Sequence, residues 1–206
     1  MIFGHRGSPR RFPENTMASF EEALRAGADG FETDLRLLAD GVAVLFHDDE
    51  VGGEPVESLP SSRVRADRVS ELARLSGRGT MILEVKRGKW EDLLMAEIGS
   101  WKNIIVASFD HSLIAELARR KVAFPLGLTI AGVIVDLPRY AQKLGAKWSF
   151  PDHHYVDASL VKALHDAGIG VIPWTPNRPA DWSRLREIGC DGIITDYPAE
   201  AVGWRG

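Results

Sequence analysis

Two histidines, three carboxylates and two cations fall within the first 86 residues at spacings that suit hydrolysis. They are His5-Arg6, Glu32 with Asp34, His47, which precedes Asp48, and Glu84 with Lys86; the three carboxylates are those of Glu32, Asp34 and Glu84. Carboxylate oxygens hold hard divalent cations. Imidazoles titrate near neutral pH and move protons. Together these are the parts for metal-assisted hydrolysis. Taken singly, each has a plainer explanation: His5 as a capping or core histidine, His47-Asp48-Asp49 as a polar turn, Glu84 and Lys86 as an ion pair. Their joint occurrence argues for a site.

Elements of two kinds must position these side chains. Short β-branched or apolar runs recur at Ile2–Gly4, Gly30–Leu37, Val42–Phe46, Met81–Val85, Ile104–Ser108, Pro125–Thr129, Lys147–Phe150, Gly170–Trp174 and Gly192–Thr195. Helical patterns fall between them, near Thr16–Ala26, Ala66–Leu75, Trp90–Ile98, Ser112–Arg120, Val135–Lys143, Ala158–Ala167, Ala180–Ile188 and Ala199–Val202. Repeated strand-helix units imply a parallel sheet covered by helices. Asp40-Gly41 lies between two strand-like runs and signals a hairpin, so the His47 strand is expected antiparallel to its predecessor. Without that arm, eight units remain, which fit a (β/α)8 TIM barrel better than a doubly wound sheet. Residues 1–206 are expected to form one domain, and Asp49–Arg65 a loop over the barrel mouth.

Strand geometry turns spacing into a site. Successive side chains point to opposite faces, so Glu32 and Asp34 share one face, while Phe31, Thr33 and Leu35 share the other. The same parity puts Glu84 with Lys86, opposite Leu83 and Val85. Each pair lies toward the C-terminal end of its strand, where barrels of this type carry their active sites. Three carboxylates in one mouth repel unless neutralised, and a divalent cation assisted by Lys86 is the simplest resolution.

Composition narrows the function classes. The 206-residue chain has a net charge of −4, which argues against a nucleic-acid partner. It does not exclude a phosphate substrate, because a metal ion reverses the local sign. The single cysteine, Cys190, excludes an intrachain disulfide and fits a reducing compartment. No apolar run approaches the roughly 18 to 20 residues of a membrane span, and the chain opens without a visible signal peptide. A cytoplasmic location is the resulting expectation. The oligomeric state is not indicated.

His5-Arg6-Gly7, Pro13-Glu14-Asn15-Thr16, Gly30-Phe31-Glu32-Thr33-Asp34, His47-Asp48 and Glu84-Val85-Lys86 together resemble the glycerophosphodiester phosphodiesterase family. The likeness continues through Ser108-Phe109-Asp110-His111, Pro173-Trp174-Thr175-Pro176-Asn177 and Asp191-Gly192-Ile193-Ile194-Thr195-Asp196-Tyr197-Pro198, in the expected order over nearly the whole chain. The resemblance implies a (β/α)8 barrel that hydrolyses small-molecule glycerophosphodiesters to glycerol 3-phosphate and an alcohol, using one divalent cation, Mg²⁺ or Ca²⁺. By position it implies Glu32, Asp34 and Glu84 as metal ligands and His5 and His47 as the general acid and base. It further implies Arg6 and Lys86 as phosphate-facing groups and Trp174 as a ring lining the substrate pocket.

The chain departs from the family pattern between His47 and Glu84, only 37 positions apart. The usual arginine-containing segment after the His-Asp motif is not reproduced there, and the insertion is pared down. The alternatives are a related barrel phospholipase acting on lysophospholipids, whose substrates favour an exposed apolar rim, and an inactive phosphodiester-binding barrel. A Lys86 Schiff-base aldolase would leave the carboxylates and histidines without a purpose. Of the later groups, His153-His154 read as surface residues, His111 as a helix start and Asp196 as a cap on the final helix.

Overall fold

The apolar runs form strands buried on both faces, as a parallel sheet lying under helices requires. The computed structural model describes residues 1–206. The chain runs through β1 (Ile2–Gly4), α1 (Met17–Arg25), β2 (Gly30–Leu37), β3 (Ala43–Leu45), β4 (Glu50–Val51), β5 (Glu54–Pro55) and β6 (Thr80–Val85). It continues through α2 (Glu91–Ile98), β7 (Ile104–Ser108), α3 (His111–Arg119), β8 (Leu126–Ile130), α4 (Leu137–Lys143), β9 (Trp148–Pro151), α5 (Ala158–Asp166), β10 (Gly170–Val171), α6 (Pro179–Glu187), β11 (Ile193–Thr195) and α7 (Pro198–Arg205). Eight strands run parallel in the order β10-β9-β8-β7-β6-β2-β1-β11. The edges of this curled sheet meet: Ile194 N donates to Pro173 O and Asp191 N to Val171 O, both at 2.9 Å. The architecture is a (β/α)8 TIM barrel. None of its helices is long and apolar enough to cross a membrane.

Local chemistry explains α1. The Thr16 side chain caps it by accepting from Ser19 N, Met17, Phe20 and Ala23 are buried along one face, and Gly27 at φ 89° follows its end. Phe20 stacks on Phe31 with centroids 4.3 Å apart. Truncating Phe20 to alanine would cost about 3–5 kcal/mol. That contact holds Phe31 outward, and strand alternation then turns Glu32 inward.

Between β2 and β6 the chain does not form the α-helix expected over Ala66–Leu75. It forms a 3₁₀ helix at Val69–Leu75. The buried side chains there, Val69, Leu72 and Leu75, recur every third residue, the 3₁₀ repeat. β3 pairs antiparallel with β2, through Leu35–Leu45, Arg36–Val44 and Leu37–Ala43. The segment after it reaches the mouth only at Asp49, in a groove with His47, Lys86 and Phe109, and otherwise does not cover the mouth as expected. It folds into the small β4–β5 ladder and two 3₁₀ turns, and Val56, Leu59 and Val64 pack with Leu38 and Val44 in a separate small core. Burying those three apolar side chains pins the segment beside the barrel.

Strand parity sorts the remaining core into two layers. Met81, Leu83 and Val85 face the helices, whereas Ile82 faces the barrel axis with Phe3, Ile105, Ala107, Phe150, Ile172 and Ile194. At Gly127 an added Cβ would lie 2.3 Å from the Phe150 ring, so only glycine lets that ring fill the barrel floor. The apolar plug closes the barrel from below and leaves its C-terminal mouth as the open end.

Candidate active site

Register brings the carboxylates together. Asp34 and Glu84 are Cα partners across β2 and β6, and Glu32 lies one inward position below Asp34. All three are buried, and one oxygen from each lies within 4.8 Å of the others. Lys86 Nζ sits 2.6 Å from Asp34 Oδ1 and also bonds Glu84 Oε1. Asn15 fixes Asp34 further: its Nδ2 donates to Asp34 Oδ2 at 2.8 Å, while its Oδ1 accepts from Thr33 Oγ1 and Asp34 N.

His5 and Arg6 follow β1. The Arg6 backbone adopts φ 53°, which directs its N–H to Glu32 Oε2 at 3.0 Å. Its guanidinium donates to both oxygens of Glu14, and its Nε lies 3.3 Å from Asp34 Oδ2. His5 Nδ1 meets Asp196 Oδ1 at 2.7 Å, leaving Nε2 4.0 Å from Glu32 Oε2. Asp196 therefore does not cap α7, where no side-chain cap exists. It serves His5, and Asn177 holds it in turn, donating from Nδ2 at 2.8 Å.

His47 follows β3 and is more exposed than His5; its Nδ1 meets Asp48 Oδ1 at 2.9 Å. The buried Arg36 clamps this turn, donating to His47 O from its Nε and, at 2.7 Å, from one terminal nitrogen. The same guanidinium pairs with Asp49 and Glu57. Asp196 and Arg36 are two positioning groups that the motif reading does not pick out.

Electrostatics separate the three carboxylates. Burial, then Asp34 and Glu84, push the Glu32 carboxyl well above the usual carboxylate range. Burial acts the same way on Asp34, but Lys86, Arg6 and the Asn15 hydrogen bond outweigh it and hold Asp34 below its ordinary value. Burial opposes the charge of Lys86, yet Asp34 and Glu84 raise it above a free lysine. With all three ionised, and Glu14 also drawing on Arg6, the carboxylates outnumber the two cations, an excess that a divalent cation would offset. Oxygen-only donors suit a hard cation, so the cluster fits a metal.

All eight residues singled out from the sequence line one pocket of about 190 Å³: His5, Arg6, Glu32, Asp34, His47, Glu84, Lys86 and Trp174. The axial plug residues Ile82, Ala107, Phe150 and Ile194 form its apolar floor, and Phe109 adds an apolar side chain at the rim. Trp174 Nε1 donates to Phe150 O at 2.8 Å, and its ring meets Phe109 edge-on at 5.8 Å. No residue of the Asp49–Arg65 segment lines this pocket; His5 and Arg6 after β1, His47 after β3, Phe109 after β7 and Trp174 after β10 do. Of the remaining histidines, His111 opens α3, whereas His153 is buried and not the surface group expected.

The sequence pattern of the Glycerophosphoryl diester phosphodiesterase family matches residues 5–92 and 84–200. A glycerophosphodiester phosphodiesterase from Caldanaerobacter subterraneus subsp. tengcongensis is 27% identical over 98% of this chain and 96% of its own. Among solved structures, one described as a putative glycerophosphoryl diester phosphodiesterase from Silicibacter pomeroyi has a TM-score of 0.91 at 23% identity, covering 98% of this chain and 92% of that one. An Oleispira antarctica phosphodiesterase in complex with the product sn-glycerol-3-phosphate has a TM-score of 0.91 at 19% identity, covering 100% and 96%.

Proposed function

The chain belongs to the glycerophosphoryl diester phosphodiesterase family and is a phosphoric diester hydrolase; on that premise we propose that its pocket hydrolyses glycerophosphodiesters to glycerol 3-phosphate and an alcohol, with His5 and His47 moving the protons. The observation that carries this reading is the set of three crowded, buried carboxylates facing two histidines across one pocket. The glycerol 3-phosphate bound by the Oleispira protein supports the product.

Glu32, Asp34 and Glu84 would hold one divalent cation, Mg²⁺ or Ca²⁺, which when bound polarises a phosphate oxygen as a Lewis acid. Asp196 on Nδ1 orients His5 so that Nε2 is its working nitrogen. Asp48 does the same for His47. One imidazole takes the proton of the attacking oxygen and the other protonates the leaving alkoxide. Lys86 uses two of its three N–H donors on Asp34 and Glu84, which leaves the third for a phosphate oxygen. The Arg6 guanidinium adds positive charge beside them. Residues 1–206 act as one barrel in this scheme.

Release of glycerol 3-phosphate from glycerophosphocholine should require Mg²⁺ or Ca²⁺ and stop with chelator. His5→Ala and His47→Ala should each lose about 10²–10⁴-fold in turnover with the fold intact. Chelator-indifferent turnover, or near-normal turnover in either variant, contradicts the reading.

A second reading has its own support. Phe109, Val133, Val135 and Tyr155 are exposed on the loops after β7, β8 and β9, three neighbouring strands at the mouth. Through Phe109 the rim is continuous with the apolar lining of the pocket. An acyl chain on a lysophospholipid would follow that path. Faster turnover of micellar lysophospholipid than of glycerophosphocholine would favour it; the reverse favours small water-soluble diesters.

A further inference from the structure

A second cluster of metal-binding side chains lies on the opposite side of the barrel mouth from the carboxylates. Asp152 ends the extension of β9, and His153 and His154 form a single 3₁₀ turn with Tyr155. One ring nitrogen of each histidine and one Asp152 carboxylate oxygen lie within 4.8 Å of one another. The two rings face each other at 3.9 Å with a tilt of 36°. His154 Nδ1 and Asp152 Oδ1 are 2.7 Å apart, with the His154 side chain open to solvent.

His153 supplies the observation that points to a ligand. It is only 7% exposed, and its Nδ1 is buried without any hydrogen-bond partner. A buried imidazole nitrogen left unpaired is unfavourable, so the residue is held where it is by other contacts. Its backbone explains how: His153 N donates to Trp174 O at 2.8 Å, and Arg184 donates to His153 O at 2.8 Å. The backbone that carries the ring is therefore held in place from both sides.

We propose that Asp152, His153 and His154 form a transition-metal site, separate from the carboxylate cluster, that takes Zn²⁺ or a similar borderline cation. Two imidazoles and one carboxylate are a donor set for such ions, whereas Mg²⁺ and Ca²⁺ select oxygen alone. None of the three residues lines the catalytic pocket. Asp152 pairs with Trp174 in a parallel bridge, so an ion here would brace the backbone beneath the pocket wall.

The test titrates the full chain with Co²⁺, and separately Zn²⁺, under saturating Mg²⁺. The wild type should bind one Co²⁺ with the visible absorption of imidazole coordination. His154→Ala, which removes an exposed side chain, should weaken binding by roughly tenfold or more, at least what loss of an outer-shell partner costs, with circular dichroism and Mg²⁺-supported turnover unchanged. Glu84→Gln should bind Co²⁺ as the wild type does. No Co²⁺ or Zn²⁺ bound under Mg²⁺ overturns the proposal. So does binding that survives His154→Ala or that is lost in Glu84→Gln, since the ion would then sit elsewhere. Failure of glycerophosphodiester turnover bears on the proposed function and not on this site.

Discussion

Replacing Asp196 with asparagine isolates what one carboxylate does for the histidine it holds. Asp196 Oδ1 lies 2.7 Å from His5 Nδ1, and its other oxygen accepts from Asn177 Nδ2 at 2.8 Å. Asparagine keeps the shape but offers one oxygen for two neighbours. If that oxygen stays with Asn177, an amide NH₂ faces His5 Nδ1. Nδ1 must then accept, the ring proton moves to Nε2, and the nitrogen nearest the carboxylate cluster can no longer take one. Loss of a hydrogen bond to a charged group costs about 1.5–3 kcal/mol. At about 1.4 kcal/mol per tenfold, kcat should fall roughly 10- to 150-fold. KM should move little, because Asp196 does not line the pocket. The contact with exposed Arg10, at 3.4 Å, adds almost nothing.

Glycerol 3-phosphate release at saturating Mg²⁺ measures both constants, and a double-mutant cycle with His5→Ala tests the reasoning. If Asp196 acts only through His5, adding Asp196→Asn to His5→Ala should cost almost nothing more. The same fold-loss in both backgrounds would refute that account and make Asp196 a structural support of the β11–α7 turn.

Three further outcomes follow. Because Glu32 holds its proton more tightly in the folded chain than in the unfolded one, its stabilising contribution is complete below the ordinary carboxylate range and is lost as pH rises through its elevated titration. In chelator, the melting temperature should therefore fall from about pH 5 upward. Mg²⁺ should restore it, and Glu32→Gln should flatten the slope; an unchanged slope in that variant refutes the assignment. The double substitution Val133→Asp, Val135→Asp should reduce turnover of micellar lysophospholipid and spare glycerophosphocholine, and equal loss on both would remove the rim from substrate access. Gly127→Ala should cost about 1–3 kcal/mol by driving a methyl into the Phe150 ring, read as a lower denaturation midpoint; an unchanged midpoint would mean the ring gives way freely.

The barrel was legible in the sequence because short apolar, strand-like runs alternate with helical patterns along nearly the whole chain. Parity alone set Glu32 and Asp34 on one face and Glu84 with Lys86 on one face, and the register then joins the pairs. The exceptions have physical causes. The Val69–Leu75 segment shares its apolar residues with an α-helical pattern, and only the three-residue spacing of the buried ones marks a 3₁₀ helix. Asp49–Arg65 carries turn residues that suit a mouth loop equally well; what decides its place is the apolar trio Val56, Leu59 and Val64 finding Leu38 and Val44. Arg36 has the inward parity of Asp34 but is spent on the His47 carbonyl, a contact that depends on the curl of β3 against β2.

Asp196 is the instructive omission. Its surroundings, Thr195-Asp196-Tyr197-Pro198, read locally as a helix start, and 191 positions separate it from His5. Closure of the barrel removes that distance. The last strand must pair with the first, and Gly4 is in register with Thr195, so the residues that follow each strand, His5 and Asp196, emerge side by side at the mouth. The inference needs only a closed parallel sheet and equal strand ends. In such a fold, two side chains can cooperate when they occupy the same height on adjoining strands, whatever their separation along the chain. The same rule brings Glu84 to Asp34 and the loop after β9 to Trp174, where Asp152 and His153 meet the pocket wall. Local motif reading finds the residues that carry charge into the mouth. Adjacency around the barrel finds the ones that aim them.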